Sequence, residues 1–254
     1  MAIEKNLTLL EGEIALVTGA TRGIGKSIAD EFAQAGATVI GTATTKEGAE
    51  NISNRLSNLN LNGHGIVLDV ANSEQISKEV GSLKESGLMP SILVNNAGIS
   101  LDNLLMRIKK DEWEKVIATN LSSAFYLSKA VIRSMLKNRH GRIINIGSVQ
   151  GSTGAPGHSH YSAAKAGLIG LTKSLAQEVG SRNITVNVIS PGYVSTDMTK
   201  QIDDKMNQAL LETIPLKRFG KPIDIAKTAL YLASSLGSYI TGETINVNGG
   251  MNML

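Results

Sequence analysis

The sequence predicts an α/β protein: a doubly wound parallel sheet of about seven strands with helices on both faces, residues 1–254 forming a single domain. Three observations predict it. Short β-branched apolar runs alternate with longer helical patterns, which gives a parallel sheet joined by right-handed crossovers. A glycine-rich turn follows the first apolar run and leads at once into an amphipathic helix. No Pro/Ser-rich linker, charge block, low-complexity stretch or fixed-period repeat divides the chain.

The first strand is expected over 14–18, in Glu13-Ile-Ala-Leu-Val-Thr18, and Gly19-Ala20-Thr21-Arg22-Gly23-Ile24-Gly25 follows directly. Strand, glycine turn and helix in succession are the context in which glycines let a pyrophosphate approach the main chain. The N–H groups and dipole at the helix N-terminus then hold the anion. The spacing is G-x-x-x-G-x-G rather than G-x-G-x-x-G. Further strands are expected over 38–43, 64–69, 91–95, 142–147, 184–190 and 243–247. The helical segment 111–138 is long for one helix and carries Asn120 within it, which predicts a local distortion there. The helix over 160–179 is lined by Ala163, Ala164, Ala166, Gly167 and Gly170, small residues that permit close approach to the sheet or to another subunit.

The chemistry is concentrated in Ser148, Tyr161 and Lys165. Gly141-Arg-Ile-Ile-Asn-Ile-Gly147 reads as a buried strand, so Ser148 lies at a strand end, where open α/β sheets place their sites. Tyr161 and Lys165 are four apart and share a helix face. A free phenol titrates at about pH 10, and a lysine cation beside it is expected to lower that value. A hydroxyl with a lysine-assisted phenol can move a proton to or from a carbonyl oxygen.

Composition excludes several classes. Cysteine is absent, which rules out disulfides, thiolate nucleophiles and zinc–sulfur sites and fits a reducing cytoplasm. A net charge of +3 and a pI near 9.0 are too mild to imply nucleic acid. No segment approaches the ~18 uninterrupted apolar residues of a membrane span, and residues 1–13, with Glu4, Lys5, Glu11 and Glu13, do not resemble an export signal. His158 and His160 form an H-x-H pair with no third ligand at suitable spacing, so they are expected to line the entrance and no metal is expected. Trp113 and the methionines read as core or interface packing.

These motifs together resemble the short-chain dehydrogenase/reductase family, over nearly the whole chain. Thr18-Gly-Ala-Thr-Arg-Gly-Ile-Gly25 resembles its cofactor turn in a Rossmann-type fold, Asn95-Asn96-Ala97-Gly98 its sheet-stabilising motif, and Pro191-Gly192-Tyr-Val194-Ser-Thr196 the segment over its nicotinamide. Asn120, Ser148, Tyr161 and Lys165 resemble its catalytic set. Asp102-Asn-Leu-Leu-Met-Arg107, Arg139-His-Gly-Arg142, Tyr239-Ile-Thr-Gly-Glu-Thr and Asn248-Gly-Gly250 are similar to its bacterial branch acting on 3-oxoacyl chains carried by acyl carrier protein in fatty acid biosynthesis. The resemblance implies that Ser148 orients the substrate carbonyl, Tyr161 donates the proton, Lys165 also binds the ribose, and Asn120 holds a water linking Lys165 to solvent. It further implies adenine contacts from Asp69 and Val70, ribose and nicotinamide contacts from Asn96 and Val194, and a homotetramer; Gln150, two residues beyond Ser148, is expected to face the substrate.

Cofactor choice follows from charge. An NAD-preferring site places an acid at the end of the second strand, but Ala43 and Thr44 stand there and Arg22 lies in the glycine turn. An arginine fork suits a 2′-phosphate, so NADPH is expected, although Lys46 is the nearest basic residue after the strand. By resemblance, Arg139 and Arg182 match the basic docking positions for acidic acyl carrier protein. Both precede strands, on the side away from the active site, so a neighbouring subunit would have to bring them to the entrance. A related reductase of an acyl-CoA, sugar or cyclic ketone, and an idle NADPH-binding subunit, are the alternatives.

Overall fold

Hydrophobic alternation within each apolar run decides the layering. In the first strand, β1 (Ile14–Val17), Ala15 and Val17 enter one core cluster and Leu16 the other. The remaining strands are β2 (Thr38–Ala43), β3 (Gly63–Val67), β4 (Ile92–Asn95), β5 (Gly141–Ile146), β6 (Ile184–Pro191) and β7 (Thr244–Val247). The computed structural model describes residues 8–195 and 204–253. Its sheet has seven strands, all parallel, in the order β3-β2-β1-β4-β5-β6-β7. This is the doubly wound, Rossmann-type arrangement that the alternating pattern predicts.

The helices are α1 (Gly23–Gln34), α2 (Lys46–Asn58), α3 (Ser73–Glu85), α4 (Lys110–Ile117), α5 (Ser123–Asn138), α6 (Gln150–Thr153), α7 (Ser159–Val179), α8 (Asp204–Thr213) and α9 (Pro222–Ala233). Ile28 and Phe32 of α1, Ile52 and Leu56 of α2 and Ile225 and Leu232 of α9 fill the core on one face. Ile76 and Val80 of α3, Leu127 and Val131 of α5 and Val179 of α7 fill the other. Local signals start several helices. The Thr45 side chain accepts the Gly48 N–H at 3.1 Å, and Asn72 accepts those of Glu74 and Gln75 at 3.0 Å. Pro222 opens α9, with the Asp224 carboxylate accepting the Lys221 N–H at 2.8 Å.

Strand ends differ slightly from expectation, for local reasons. β3 ends at Val67, because the Asp69 N–H turns away to the Gln75 side chain at 2.9 Å. Between α4 and α5 the chain winds as a π-helix over Ala118–Ser122, the distortion expected around Asn120. No helix among the described residues is long and apolar enough to cross a membrane.

Strand order reverses between β1 and β4, so the connections after these two strands part and leave a crevice at their C-terminal ends. The glycine turn follows β1 and Asn96-Ala97-Gly98 follows β4.

Close approach of α2 to β3 depends on Gly65, where an added Cβ would lie 2.1 Å from the Ala49 carbonyl oxygen. Gly65→Ala should therefore destabilise by about 1–3 kcal/mol, lowering the melting temperature by roughly 2–10 °C. Gly81, inside α3, has open space where its Cβ would stand. Gly81→Ala should stabilise by about 0.5–1 kcal/mol. Calorimetry on the two variants checks both signs, and equal shifts in the same direction would contradict the packing argument.

Candidate active site

Thr18 closes β1 and organises the crevice. Its buried hydroxyl donates to the Val94 carbonyl at 3.2 Å and accepts the N–H groups of Asn96 and Ala97 at 2.9 Å. The Asn96 amide returns the contact, donating to the carbonyls of Thr18 at 2.8 Å and Gly19 at 3.3 Å. A Cβ on Gly25 would lie 2.3 Å from the Gly19 oxygen and 2.4 Å from Asn96 Nδ2, so only glycine fits between the turn and this loop. Gly19 and Gly23 also take positive φ, +66° and +57°. Asn96, expected beside the ribose and nicotinamide, thus spends its side-chain amide on the turn.

The turn has the properties a dinucleotide pyrophosphate requires. Arg22 caps α1 in an extended conformation, without a side-chain cap. Among the described residues, no protein acceptor takes the N–H groups of Gly23 and Ile24. Those donors point out of a helix N-terminus behind glycines that hold the backbone open, which fits an anionic diphosphate. Thr21, Arg22 and Thr44 are exposed around the turn, Ala43 is buried, and Ala20 is fixed by its N–H to the Thr42 carbonyl at 3.0 Å. Asp69 is exposed and accepts the Ala71 N–H at 3.0 Å, whereas the Val70 side chain packs into the core with α3. Across the crevice, the Pro191 carbonyl accepts the Val149 N–H at 2.9 Å and Gly192 donates to Val247 at 3.2 Å. Val194 is buried and bridges to Gly220. Thr196 lies outside the described residues.

Ser148, just past β5, accepts the Gln150 N–H at 3.2 Å, and its hydroxyl lies near enough to the Tyr161 phenol to favour the phenolate. The Lys165 ammonium stands 5.6 Å from the centre of the Tyr161 ring and donates to the Ile146 carbonyl at 2.7 Å. Asn120 is held rigidly: its Nδ2 donates to the carbonyls of Ile99 and Val116 at 2.9 Å, and its Oδ1 accepts the Ile99 N–H at 3.2 Å. A Cβ on Gly98 would lie 2.6 Å from Asn120 Oδ1 and 3.7 Å from Lys165 Nζ. The bare glycine keeps the space between those two groups clear. Gln150 Oε1, two residues beyond Ser148, is buried with no hydrogen-bond partner among the described residues.

Asn95, placed by resemblance in a sheet-stabilising motif, has partners that sequence reasoning did not supply. Asn95 Nδ2 donates to Asn145 Oδ1 and Asn145 Nδ2 to Thr172 Oγ1, each at 2.8 Å, tying α7 to β5 and β4. Asn95 and Asn145 are register partners, so alignment of the two strands was the missing signal. His158 contacts Asp102 at 2.9 Å and stands 6.3 Å from the Tyr161 ring. His160 does not line the entrance: it is fully buried, with neither ring nitrogen hydrogen-bonded. Residues two apart on a helix point in different directions, which separates the H-x-H pair. Trp113 is exposed rather than in the core. No group of three or more His, Cys, Asp or Glu side chains is placed to hold a metal among the described residues. Arg139 and Arg182 are both exposed at the strand N-terminal pole, where Arg139 Nη2 donates to the Ser181 carbonyl at 3.2 Å.

Burial dominates the electrostatics. It raises the Tyr161 pKa above the usual phenol value, and the hydrogen bond from Ser148 only partly opposes this. The expected net lowering by lysine is therefore not what this arrangement gives. Burial also lowers the Lys165 pKa to about 8. The unfolded chain keeps that lysine proton up to the ordinary lysine value of 10.5, so desolvation of the cation opposes folding at neutral pH and stability from this group rises between pH 8 and 10.5. Lys165→Met should consequently melt no lower than wild type at pH 7, with its relative advantage shrinking through that window while turnover is lost. A clear drop in melting temperature at pH 7 would show that the bond to Ile146 outweighs desolvation.

A family model described as enoyl-(acyl carrier protein) reductase matches residues 19–252. Curated relatives include the 3-oxoacyl-[acyl-carrier-protein] reductases of Vibrio cholerae, 53% identical over 96% of this chain and 99% of that one, and of Escherichia coli, 53% identical over 96% and 99%. A solved structure from Agrobacterium tumefaciens, provisionally described as a gluconate dehydrogenase, aligns with a TM-score of 0.95 at 32% identity, covering 98% of this chain and 99% of that one. Matched over nearly its whole length, and with its Ser148, Tyr161 and Lys165 gathered at the end of the crevice, this chain belongs to the short-chain dehydrogenase/reductase family.

Proposed function

We infer that the protein reduces 3-oxoacyl-[acyl-carrier-protein] to the 3-hydroxyacyl thioester in fatty acid biosynthesis, the activity named for its curated relatives, with NADPH as reductant. The observation that carries this is the Ser148–Tyr161 hydroxyl pair backed by Lys165, beside a turn suited to a dinucleotide.

A nicotinamide held by the glycine turn would supply the hydride that carbon 3 of the acyl chain receives. Ser148 and Tyr161 offer two hydroxyls to one carbonyl oxygen and fix the ketone's orientation. As negative charge develops there, Tyr161 delivers its proton and the product alcohol forms. A raised phenol pKa keeps Tyr161 in the protonated form that this direction requires. Lys165, held by Ile146, places a cation beside the phenolate that remains, and binds the cofactor ribose. Asn120, beside the space left by Gly98, positions the water through which the pair regains its proton.

Several finer assignments belong to the same proposal. Gly19 to Gly25 cradle the pyrophosphate; Arg22 and Thr44 surround the 2′-phosphate with no acid at Ala43; Asp69 and the main chain near Val70 border the adenine. Ala97, Gly98, Pro191, Gly192, Val194 and Thr196 line the nicotinamide end, and Gln150 borders the substrate. A homotetramer is supported by Trp113, Phe125 and Tyr126, exposed on α4 and α5, and by exposed Ala163, Ala166 and Gly170 on α7. We place the enzyme in the cytoplasm, which suits a chain without cysteine.

Steady-state rates with acetoacetyl-carrier protein and acetoacetyl-CoA, each with NADPH and NADH, test the substrate assignment; the carrier thioester with NADPH should give the highest kcat/KM. Tyr161→Phe should keep the fold and cofactor binding yet lose about 10²–10⁴ in rate. More than half of wild-type turnover in that variant would remove Tyr161 as the proton donor.

Docking has its own test. Acyl carrier protein is acidic, and the exposed Arg139–Arg182 patch supplies complementary charge. Arg139→Glu with Arg182→Glu should raise KM for the carrier-bound substrate several-fold and leave a small carrier-free β-ketoester nearly unaffected. Salt should mimic the double variant on wild type, since exposed charges are screened over about 10 Å at 0.1 M. Equal loss on both substrates would make the patch structural.

A further inference from the structure

Arg55 lies in the last turn of α2, far from the catalytic residues in sequence, and its guanidinium is largely buried, with 16% side-chain exposure. Its Nε donates to Asp30 Oδ1 of α1 at 2.8 Å, and its Nη2 donates to the carbonyl of Ala20 at 3.1 Å. Asp30 is shared, since Oδ2 accepts from Lys26 at 3.2 Å. The Ala20 peptide is thus pinned at both ends, its N–H by the Thr42 carbonyl of β2 and its oxygen by Arg55.

The captured oxygen matters because of what it would otherwise do. If α1 wound back toward β1, the Ala20 carbonyl would be the i−4 acceptor of the Ile24 N–H. The neighbouring acceptor, the Gly19 carbonyl, is likewise occupied by Asn96 Nδ2 at 3.3 Å. With both oxygens drawn aside, the N–H groups of Gly23 and Ile24 stay unpaired. A carbonyl held away from the turn also spares an incoming diphosphate the repulsion of its negative end.

We propose that Arg55 is a positioning residue for the cofactor turn: by holding the Ala20 carbonyl against α2, it keeps the Ile24 N–H free for the pyrophosphate of a dinucleotide. This rests on the dinucleotide-binding part of the proposed function. Asp30 neutralises much of the guanidinium charge, so Arg55 acts through the backbone and not as a phosphate ligand. Its effect must then be the same for every dinucleotide with a pyrophosphate, unlike that of Arg22, which stands exposed where the 2′-phosphate would distinguish NADPH from NADH.

The test is direct fluorescence titration of NADPH and NADH into wild type, Arg55→Met, Arg55→Lys and Arg22→Ala, with melting temperatures and steady-state kinetics alongside. Arg55→Met should weaken both cofactors by the same factor, about tenfold for a lost charge-assisted hydrogen bond, raising both cofactor KM values while kcat at saturation changes less than twofold. Arg55→Lys, which can reach one acceptor but not fork across two, should recover part of the affinity and guards against a Met variant that folds poorly. Arg22→Ala should weaken NADPH alone. Unchanged affinity in Arg55→Met and Arg55→Lys would overturn the proposal, as would selective loss of NADPH, which would make Arg55 a charge reader. No acyl substrate enters the titration, so a wrong substrate assignment leaves it untouched. A wild type that bound neither dinucleotide would instead overturn the proposed function and this inference together.

Discussion

The pairing of β1 with β4 in the middle of the sheet is the constraint on which the rest of the site depends. These strands are parallel neighbours in register, Val17 beside Val94, yet their outgoing connections leave in opposite directions. Thr18 converts that register into a local structure. Its one hydroxyl satisfies the Val94 carbonyl and two N–H groups of the loop after β4, and the Asn96 amide then reaches back to the turn after β1. A buried hydroxyl left without these partners would be strongly unfavourable, so the two loops are locked together by the same bonds that satisfy Thr18. The glycines follow from this closeness. Gly25 faces Asn96 and the Gly19 carbonyl at distances no side chain can occupy, and Gly98 clears the space between Asn120 and Lys165.

How much of this was legible in the sequence depended on range. β1, β2 and β5 announce themselves by β-branched runs bounded by glycine or proline-free turns, and Tyr161 and Lys165 by a four-residue spacing that any helix converts into proximity. The π-helical turn at Asn120 was legible as an over-long helix with a polar residue inside it. Long-range partners were not. Arg55 meets Ala20 only because α1 and α2 share one face of the sheet, and an exposed arginine in the last turn of a helix would read the same. Burial of His160 was hidden for a related reason: it shares the helix with Tyr161 but lies on another face, against neighbours chosen by tertiary packing. Arg139 reaches the carbonyl of Ser181, the residue before Arg182, because β5 and β6 begin in register, Gly141 beside Ile184.

Electrostatics at the site shows competition between burial and neighbouring charge. A lysine beside a phenol suggests a lowered phenol pKa, but removing the phenol from water acts in the opposite sense and is the larger effect here. Burial disfavours both the phenolate and the ammonium, so it raises the first pKa and lowers the second, and the phenol holds its proton more tightly than the ammonium does.

Substrate choice must be decided elsewhere. A structure at TM-score 0.95 is provisionally described as a gluconate dehydrogenase, and the matching family model is described by an enoyl reduction, so the scaffold accommodates more than one chemistry. The Ser148–Tyr161 pair does discriminate between reaction types. Two neighbouring hydroxyls suit an oxygen that gains charge and then a proton, whereas hydride addition to a carbon–carbon double bond places the developing charge one conjugated bond further away. Within carbonyl reduction, that pair is blind to what the ketone is attached to. Selectivity for a thioester on a carrier then falls to surfaces that touch the carrier and not the ketone, and Arg139 and Arg182 stand at the pole opposite the chemistry. One subunit cannot present these arginines and its own active-site entrance to the same carrier at once. Assembly of subunits is therefore a requirement of the carrier-protein proposal itself, because only a neighbour's arginines could stand beside the entrance that Tyr161 serves.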